Sequence, residues 1–479
     1  MEKSQESGIP FVKLFRTPNA NYIYDVPQSC ILDVQEDTYR YVESLQKGKE
    51  EPVVPEEFLE LQSQGYLKSE SPVKEIKHPC TDVLEFLLER KLSLMTLQLT
   101  QQCNFRCKYC VYSEEENVRQ RSHSDGTMSF ETAKKAVDFL WEHSVDSESV
   151  SIGFYGGEPL LQFPLVQKIV KYSKKRFCGK ELIFSMTTNG SLLNKEIMLF
   201  LEENDVSLLI SLDGPQKIND KNRVFRNGRG TFDVVARNLE LMKKEYPNYW
   251  KKIQISMVVD TDNDLDEMGE IVSALGIEAE CLKPSLIDWE YDDVPEIVSD
   301  KYYCKQEYHR FLAYLAHWNR YPMKKVSPIL QAVVENAIDN MEQVLQKAPL
   351  LTYDIPSGPC IPGQLRLLVD IKGNLYPCER VSETSAIAHI GSLNQGFDIE
   401  KVSRFLNAGR VTRDVCIYCW CFRFCNQCGK RADAGGEELS AQVKLKYCGA
   451  TKHAAAMEIE NYLLLNEIPI YNKEFINKG

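Results

Sequence analysis

Three cysteines in the run Cys103-Asn-Phe-Arg-Cys107-Lys-Tyr-Cys110 fall within eight residues. Thiolates are soft metal ligands, and three on one loop can bind three irons of a four-iron cluster, leaving the fourth iron open to a small ligand. A zinc ion would need a fourth Cys or His close by, and the next is His123. The chemistry expected here is therefore iron–sulfur chemistry with an exchangeable position.

A second concentration lies near the C-terminus, where eight of the 16 cysteines fall between Cys360 and Cys448. Cys360 precedes Gly373-Asn-Leu-Tyr-Pro-Cys378, and then come Cys416, Cys419, Cys421, Cys425, Cys428 and Cys448. A zinc ribbon is the competing reading of the 416–428 run. This stretch is short of long periodic segments, as expected where metal rather than apolar burial organises the chain. Cys30, Cys80, Cys178, Cys281 and Cys304 stand alone and read as small buried hydrophobes.

The elements that must position these groups alternate. Strand-like runs are expected at residues 94–99, 150–155, 182–187, 206–212, 253–259 and 278–282, with amphipathic stretches between them such as 130–141, N-capped by Ser129. Such alternation predicts parallel βαβ units, and six of them favour an α/β partial (βα)6 TIM-like barrel. Ahead of it, runs at 11–16 and 22–34 suggest a hairpin, followed by two short helices at 37–45 and 55–64. A helix-rich, aromatic stretch (Tyr302, Tyr303, Tyr308, Phe311, Tyr314, Trp318) and a final helix at 450–465 complete the reading. Expected domains are 1–90, a barrel core at 91–287, a helical bridge at 288–356 and a cysteine-rich domain at 357–479.

The chain has 479 residues, 43% hydrophobic and 26% charged, and its 57 Lys+Arg against 69 Asp+Glu give a net charge of −12. That balance, with no long basic run, argues against a nucleic-acid partner. The short basic segment 171–180 reads as the solvated end of a helix. No apolar run approaches the roughly 18–20 residues needed to cross a bilayer, and the start is polar, so no membrane partner and a cytoplasmic location are expected. A reducing compartment turns cysteine density toward metal rather than disulfides.

Cys103-x3-Cys107-x2-Cys110 after the first strand resembles the signature of the radical S-adenosylmethionine superfamily. Further motifs follow at successive strand ends, where such folds place their sites. They are Gly156-Gly157-Glu158-Pro159, Thr188-Asn189-Gly190 and Ser211-Leu-Asp213-Gly214-Pro215. The resemblance implies a [4Fe–4S] cluster on Cys103, Cys107 and Cys110 whose open iron binds S-adenosylmethionine. Gly156, Gly157, Glu158, Asn189 and Ser211 would then hold the methionine moiety. Arg223, or its rival Arg237, would assist, and Tyr109 and Tyr112 would flank the adenine.

The C-terminal pattern resembles the SPASM domain, which carries two auxiliary [4Fe–4S] clusters. The resemblance implies Cys416, Cys419, Cys425 and Cys448 at a distal cluster and Cys360, Cys378 and Cys428 at a proximal one. The tighter Cys425-x2-Cys428 spacing and the extra Cys421 leave open whether Cys421 replaces or joins Cys428. Glu379 stands where sulfatase-maturing relatives carry a catalytic Asp, and by itself reads as a surface glutamate. The first 90 residues, with Tyr24-Asp25 in the second strand, resemble a winged-helix-like peptide recognition element; the alternative is a wing packed on the barrel. Together these features are most similar to maturases of Cys-rich peptides, which install thioethers from a Cys sulfur to a carbon. Implied partners are a precursor peptide, bound through its leader, and an electron donor such as flavodoxin or ferredoxin. Carbon–carbon or carbon–oxygen linkage, or Cys/Ser oxidation, is the alternative chemistry; a non-catalytic iron–sulfur scaffold would not need the glycine and serine motifs.

Overall fold

The computed structural model describes residues 8–49, 53–113, 121–287, 300–356 and 360–468. Strands β1 (Val12–Arg16), β2 (Asn21–Asp25) and β3 (Cys30–Val34) form an antiparallel meander, where the sequence reading expected a two-stranded hairpin. Pro27 cannot donate to a ladder, and Ser29, at φ 54°, turns the chain back, so the second run splits in two. Helices Glu36–Gln46 and Glu56–Ser63 cover one face through Val12, Ile23, Val34, Tyr39, Val42 and Phe58. The other face packs not on the parallel strands but on the cysteine-rich segment. Phe15 lies against Trp420 at 6.3 Å and Tyr24 against Phe424 at 5.3 Å between ring centres.

The centre is a run of six parallel strands in chain order: β4 (Leu94–Thr100), β5 (Ser149–Gly156), β6 (Glu181–Thr188), β7 (Ser207–Ser211), β8 (Gln254–Val259) and β9 (Leu282–Leu286). Helices such as Phe130–Glu142, capped by the Ser129 hydroxyl on Thr132 N–H, connect them and bury one apolar face. The last strand begins later than its apolar pattern predicts. Ala279–Cys281 is a 3-10 turn, and the strand carries Pro284, which is tolerated because β9 is the sheet edge.

The sheet does not end at β4. Strand β10 (Leu367–Val369) pairs parallel to β4 through Leu367 and Met95, and the antiparallel strands β11 (Asn374–Tyr376), β12 (Gly391–Ser392) and β13 (Gly396–Phe397) extend it to ten. The expected 357–479 domain is thus joined to the central sheet, and Leu367, Val369, Leu375 and Ile390 share its core. Helices Asp300–His317 and Val333–Leu345 form the connecting stretch, and Cys448–Glu467 packs back on the second of them. Of the connecting aromatics, Tyr302, Tyr314 and Trp318 are buried, whereas Tyr303, Tyr308 and Phe311 face outward. The boundaries expected at 288 and 357, and both chain ends, lie outside the described residues. Among the described residues no helix is long and apolar enough to cross a membrane.

Candidate functional site

The loop after β4 carries Cys103, Cys107 and Cys110, and the ends of β5, β6 and β7 converge on it. Gly156 and Gly157 make this approach possible. Gly156 has φ 140°, and a Cβ there would sit 2.4 Å from the carbonyl oxygen of Thr100; one on Gly157 would sit 2.1 Å from that of Gln102. Only glycine lets the cysteine loop close on β5. The contact is sealed by Gly157 N–H donating to Thr100 O at 2.8 Å and Glu158 N–H to Gln102 O at 2.9 Å.

Glu158 is 1% exposed. Its carboxylate accepts from Thr188 Oγ1 (2.7 Å), Asn189 N (2.8 Å) and Leu160 N (3.0 Å), tying the end of β5 to that of β6. Burial pushes its pKa up, and these three donors pull it back toward the charged form. Asn189 in turn donates to Asn104 Oδ1 at 2.9 Å, with Cys103 Sγ at 3.9 Å.

On the other side of the loop lies Arg223. Arg223 is 6% exposed and donates to Tyr109 Oη at 2.8 Å, whereas Arg237 lies exposed on the helix Phe232–Glu245. Tyr109 donates to Asp213 Oδ2 at 2.5 Å, and Asp213 Oδ1 accepts from Val258 N at 3.1 Å. The Tyr109–Arg223–Asp213 group thereby ties the cysteine loop to the strand ends at β7 and β8, and Ser211 closes β7 beside it.

Tyr112 belongs to a different group. It is 4% exposed and accepts from Gln98 Nε2 at 3.0 Å, with the Arg121 guanidinium 5.8 Å from its ring centre. Arg121, wholly buried, pairs with Glu383 at 2.6 Å, and Gln98 also donates to Glu383. Tyr155 lies 5.7 Å from the same guanidinium. This polar cluster joins β4 and β5 to the C-terminal segment. Glu379 is instead partly exposed and paired with Arg366 at 2.8 Å.

The thiols fit an iron–sulfur ligand set. Burial, with the neighbouring thiols adding to it, pushes Cys103 up to about 12 and Cys107 to about 11. Against this, Phe105 N–H donates to Cys103 Sγ at 3.3 Å, and Arg223 favours the anionic form of Cys107 and Cys110. Bound as thiolates, all three would satisfy a metal that favours the deprotonated sulfur. In the C-terminal segment, Cys416, Cys419, Cys425 and Cys448 act electrostatically on one another, and Cys360, Cys378 and Cys428 on one another. Cys421 lies with the first of these sets, beside Cys419, Cys425 and Cys448. Among the described residues no three Cys, His, Asp or Glu side chains converge as tightly as a single metal ion requires; a cubane spaces its thiolates more widely. The solitary cysteines are not the buried residues expected: Cys178 and Cys304 are exposed, and Cys30, Cys80 and Cys281 are half-buried.

Sequence reasoning missed Asn104, Gln98, Arg121 and Glu383 and read Asp213 only as part of a turn. Gln98 had a signal, being the amide in the otherwise apolar end of β4; Arg121 and Glu383, 262 residues apart, had none.

A parallel βα array that gathers a three-cysteine loop and glycine, asparagine and serine motifs at its carboxyl strand ends defines a class of cofactor-dependent α/β domain. Residues 97–274 match the model of the Radical SAM superfamily. The radical SAM cyclopropyl synthase TigE of Paramaledivibacter caminithermalis is 28% identical over 228 residues, which cover 44% of this chain and 46% of TigE. A cysteine-type anaerobic sulfatase-maturating enzyme of Clostridium perfringens is 23% identical over 379 residues, 75% of this chain and 94% of that one. The solved structure of native anSMEcpe with bound AdoMet superposes with a TM-score of 0.56 at 22% identity, covering 79% of this chain and all (100%) of the other, a likeness of fold. The chain spans less than two thirds of the first curated relatives it matches, at 63%, 46% and 42% of their lengths.

Proposed function

We propose that this protein is a radical S-adenosylmethionine enzyme that installs thioether crosslinks in a ribosomally made, Cys-rich precursor peptide. When bound, a [4Fe–4S] cluster with S-adenosylmethionine supplies a 5′-deoxyadenosyl radical, which removes a hydrogen atom from carbon. Cys103, Cys107 and Cys110 would hold that cluster. The backbone at Gly156–Gly157, with Asn189 and Ser211, would orient the methionine moiety, Glu158 fixes the strand ends that present it, and Arg223 with Tyr109 neutralises charge beside the loop. In this reading residues 360–468 are a SPASM-type domain with two auxiliary clusters, three in all for the chain.

The observation that carries the thioether reading is the pair of C-terminal thiol sets, four and three in number, with Cys421 beside the set of four. A cluster on Cys360, Cys378 and Cys428 would keep one iron for a substrate thiolate, and holding sulfur near the reacting carbon supplies much of such a rate. Residues 8–90 serve as the winged-helix-like leader-binding element: β3 is an edge strand of the meander, where a peptide strand could add, and a groove of about 430 Å³ lined by Tyr22, Ile31, Leu345 and Tyr462 lies over β2 and β3. Ferredoxin or flavodoxin would supply electrons, in the cytoplasm.

A second reading, oxidation of a Cys or Ser side chain, is favoured by the extent of the sulfatase-maturase likeness. Mass spectrometry of a Cys-containing substrate peptide after anaerobic turnover separates the two. A thioether removes two hydrogens and consumes a thiol with its sulfur retained, whereas oxidation of Cys to an aldehyde loses the sulfur. A product that keeps a free, alkylatable thiol contradicts the thioether reading.

A further inference from the structure

The four thiols Cys416, Cys419, Cys425 and Cys448 share their surroundings with a buried cation. Lys444, on the short helix Ala441–Lys446, is 2% exposed, and its Nζ donates to Gln427 Oε1 at 3.2 Å. Among the described residues no carboxylate lies within ion-pair distance of it. Burying an ammonium with only an amide oxygen for company is unfavourable unless an anion stands beside it. The candidate anions here are sulfurs: Cys448 Sγ lies 4.0 Å from the carbonyl oxygen of Lys444 itself. Gln427 links the two partners, since its Nε2 lies 3.8 Å from Cys448 Sγ and donates to Thr451 Oγ1 at 3.1 Å. The set of three is different. Cys360 has Arg366 and Glu379 as neighbours, and these two already neutralise each other at 2.8 Å.

We propose that Lys444 is the charge partner of the distal cluster and raises its reduction potential. This rests on the reading that the four thiols carry a [4Fe–4S] cluster. A cluster with four thiolates is a net anion and gains a further negative charge on reduction, so a fixed ammonium in a low-dielectric setting favours the reduced form.

The test is an EPR-monitored redox titration of the reconstituted full chain, wild type against Lys444→Met and Lys444→Arg, with iron content measured on the same samples. The expected result is a more negative midpoint for one auxiliary signal in Lys444→Met, with iron retained, and a midpoint near wild type in Lys444→Arg. An unchanged midpoint in Lys444→Met at full iron content overturns the proposal and leaves the cluster reading standing. Should Lys444→Met lose the distal iron, Lys444→Arg must restore it, because it keeps the charge; failure of both assigns Lys444 to packing and overturns the proposal. Wild-type protein with one auxiliary signal instead of two overturns the cluster reading itself, and the proposal with it.

Discussion

Glu158 Oε2 accepts the backbone N–H of Asn189 at 2.8 Å, so a side chain from the end of one strand holds the backbone at the end of the next. Oε1 takes Thr188 Oγ1 and Leu160 N as well, and both oxygens act as acceptors. A glutamine would turn an NH2 toward one of these donors. Glu158→Gln is therefore expected to lose about 1–3 kcal/mol, the cost of a buried polar group left without its partner. Urea denaturation of the variant measures it, and a loss below about 0.5 kcal/mol would remove Glu158 from its clamping role.

Gly157→Ala places a methyl 2.1 Å from Gln102 O, on the backbone rather than a side chain that could move aside. The cysteine loop must shift, at a strain of about 1–3 kcal/mol. The expected outcome is loss of the iron bound by Cys103, Cys107 and Cys110, about four atoms, with the C-terminal iron retained. Full iron content in this variant would show that the loop closes on β5 by another route.

Arg121 and Glu383 meet at 2.6 Å with 0% and 10% of their side chains exposed. Removing Glu383 alone leaves a buried guanidinium uncompensated, expected to cost about 3–5 kcal/mol, whereas replacing both by apolar residues of similar volume is expected to cost far less. A double-mutant cycle on Arg121→Met and Glu383→Met, read by chemical denaturation, checks this; additive losses would mean the two do not act as a pair.

Asp264 caps the helix Leu265–Leu275 and meets Lys305 at 2.7 Å, which holds its carboxyl down at about 2, below the ordinary 3.8. A lowered folded pKa means that the unfolded chain binds more protons between those values. The contribution is thus full above 3.8 and is lost as pH falls through about 2. Asp264→Asn keeps the cap and removes the ion pair. At neutral pH it is expected to be about 0.2–1 kcal/mol less stable than wild type, a gap that closes below pH 2. A gap independent of pH would point to the cap instead.

Much of this architecture is readable from one chain because its signals are local. Strands β4 to β8 fall on apolar runs within one or two residues of their observed bounds, and the three-cysteine loop follows the first of them directly. What escaped reading depends on contacts distant in sequence. The pairing of Leu367 with Met95, which fuses the cysteine-rich segment to the central sheet, has no local mark, nor does the Arg121–Glu383 pair. The run expected at 278–282 lies four residues early because its first residues form the 3-10 turn Ala279–Cys281, and the strand itself runs past Pro284, which its edge position tolerates. From spacing alone, Cys421 could replace or join Cys428. The structure sets Cys421 Sγ 3.9 Å from Thr451 O on the helix that begins with Cys448.

The most direct test of the account is 5′-deoxyadenosine formation from S-adenosylmethionine by the anaerobically reconstituted, reduced protein. Wild type is expected to hold about twelve irons, as three four-iron clusters require, and to release 5′-deoxyadenosine. The Cys103→Ala/Cys107→Ala/Cys110→Ala protein should keep about eight irons and release none. Cleavage that survives the triple replacement would contradict the assignment of these three cysteines and, with it, the radical chemistry proposed for the chain.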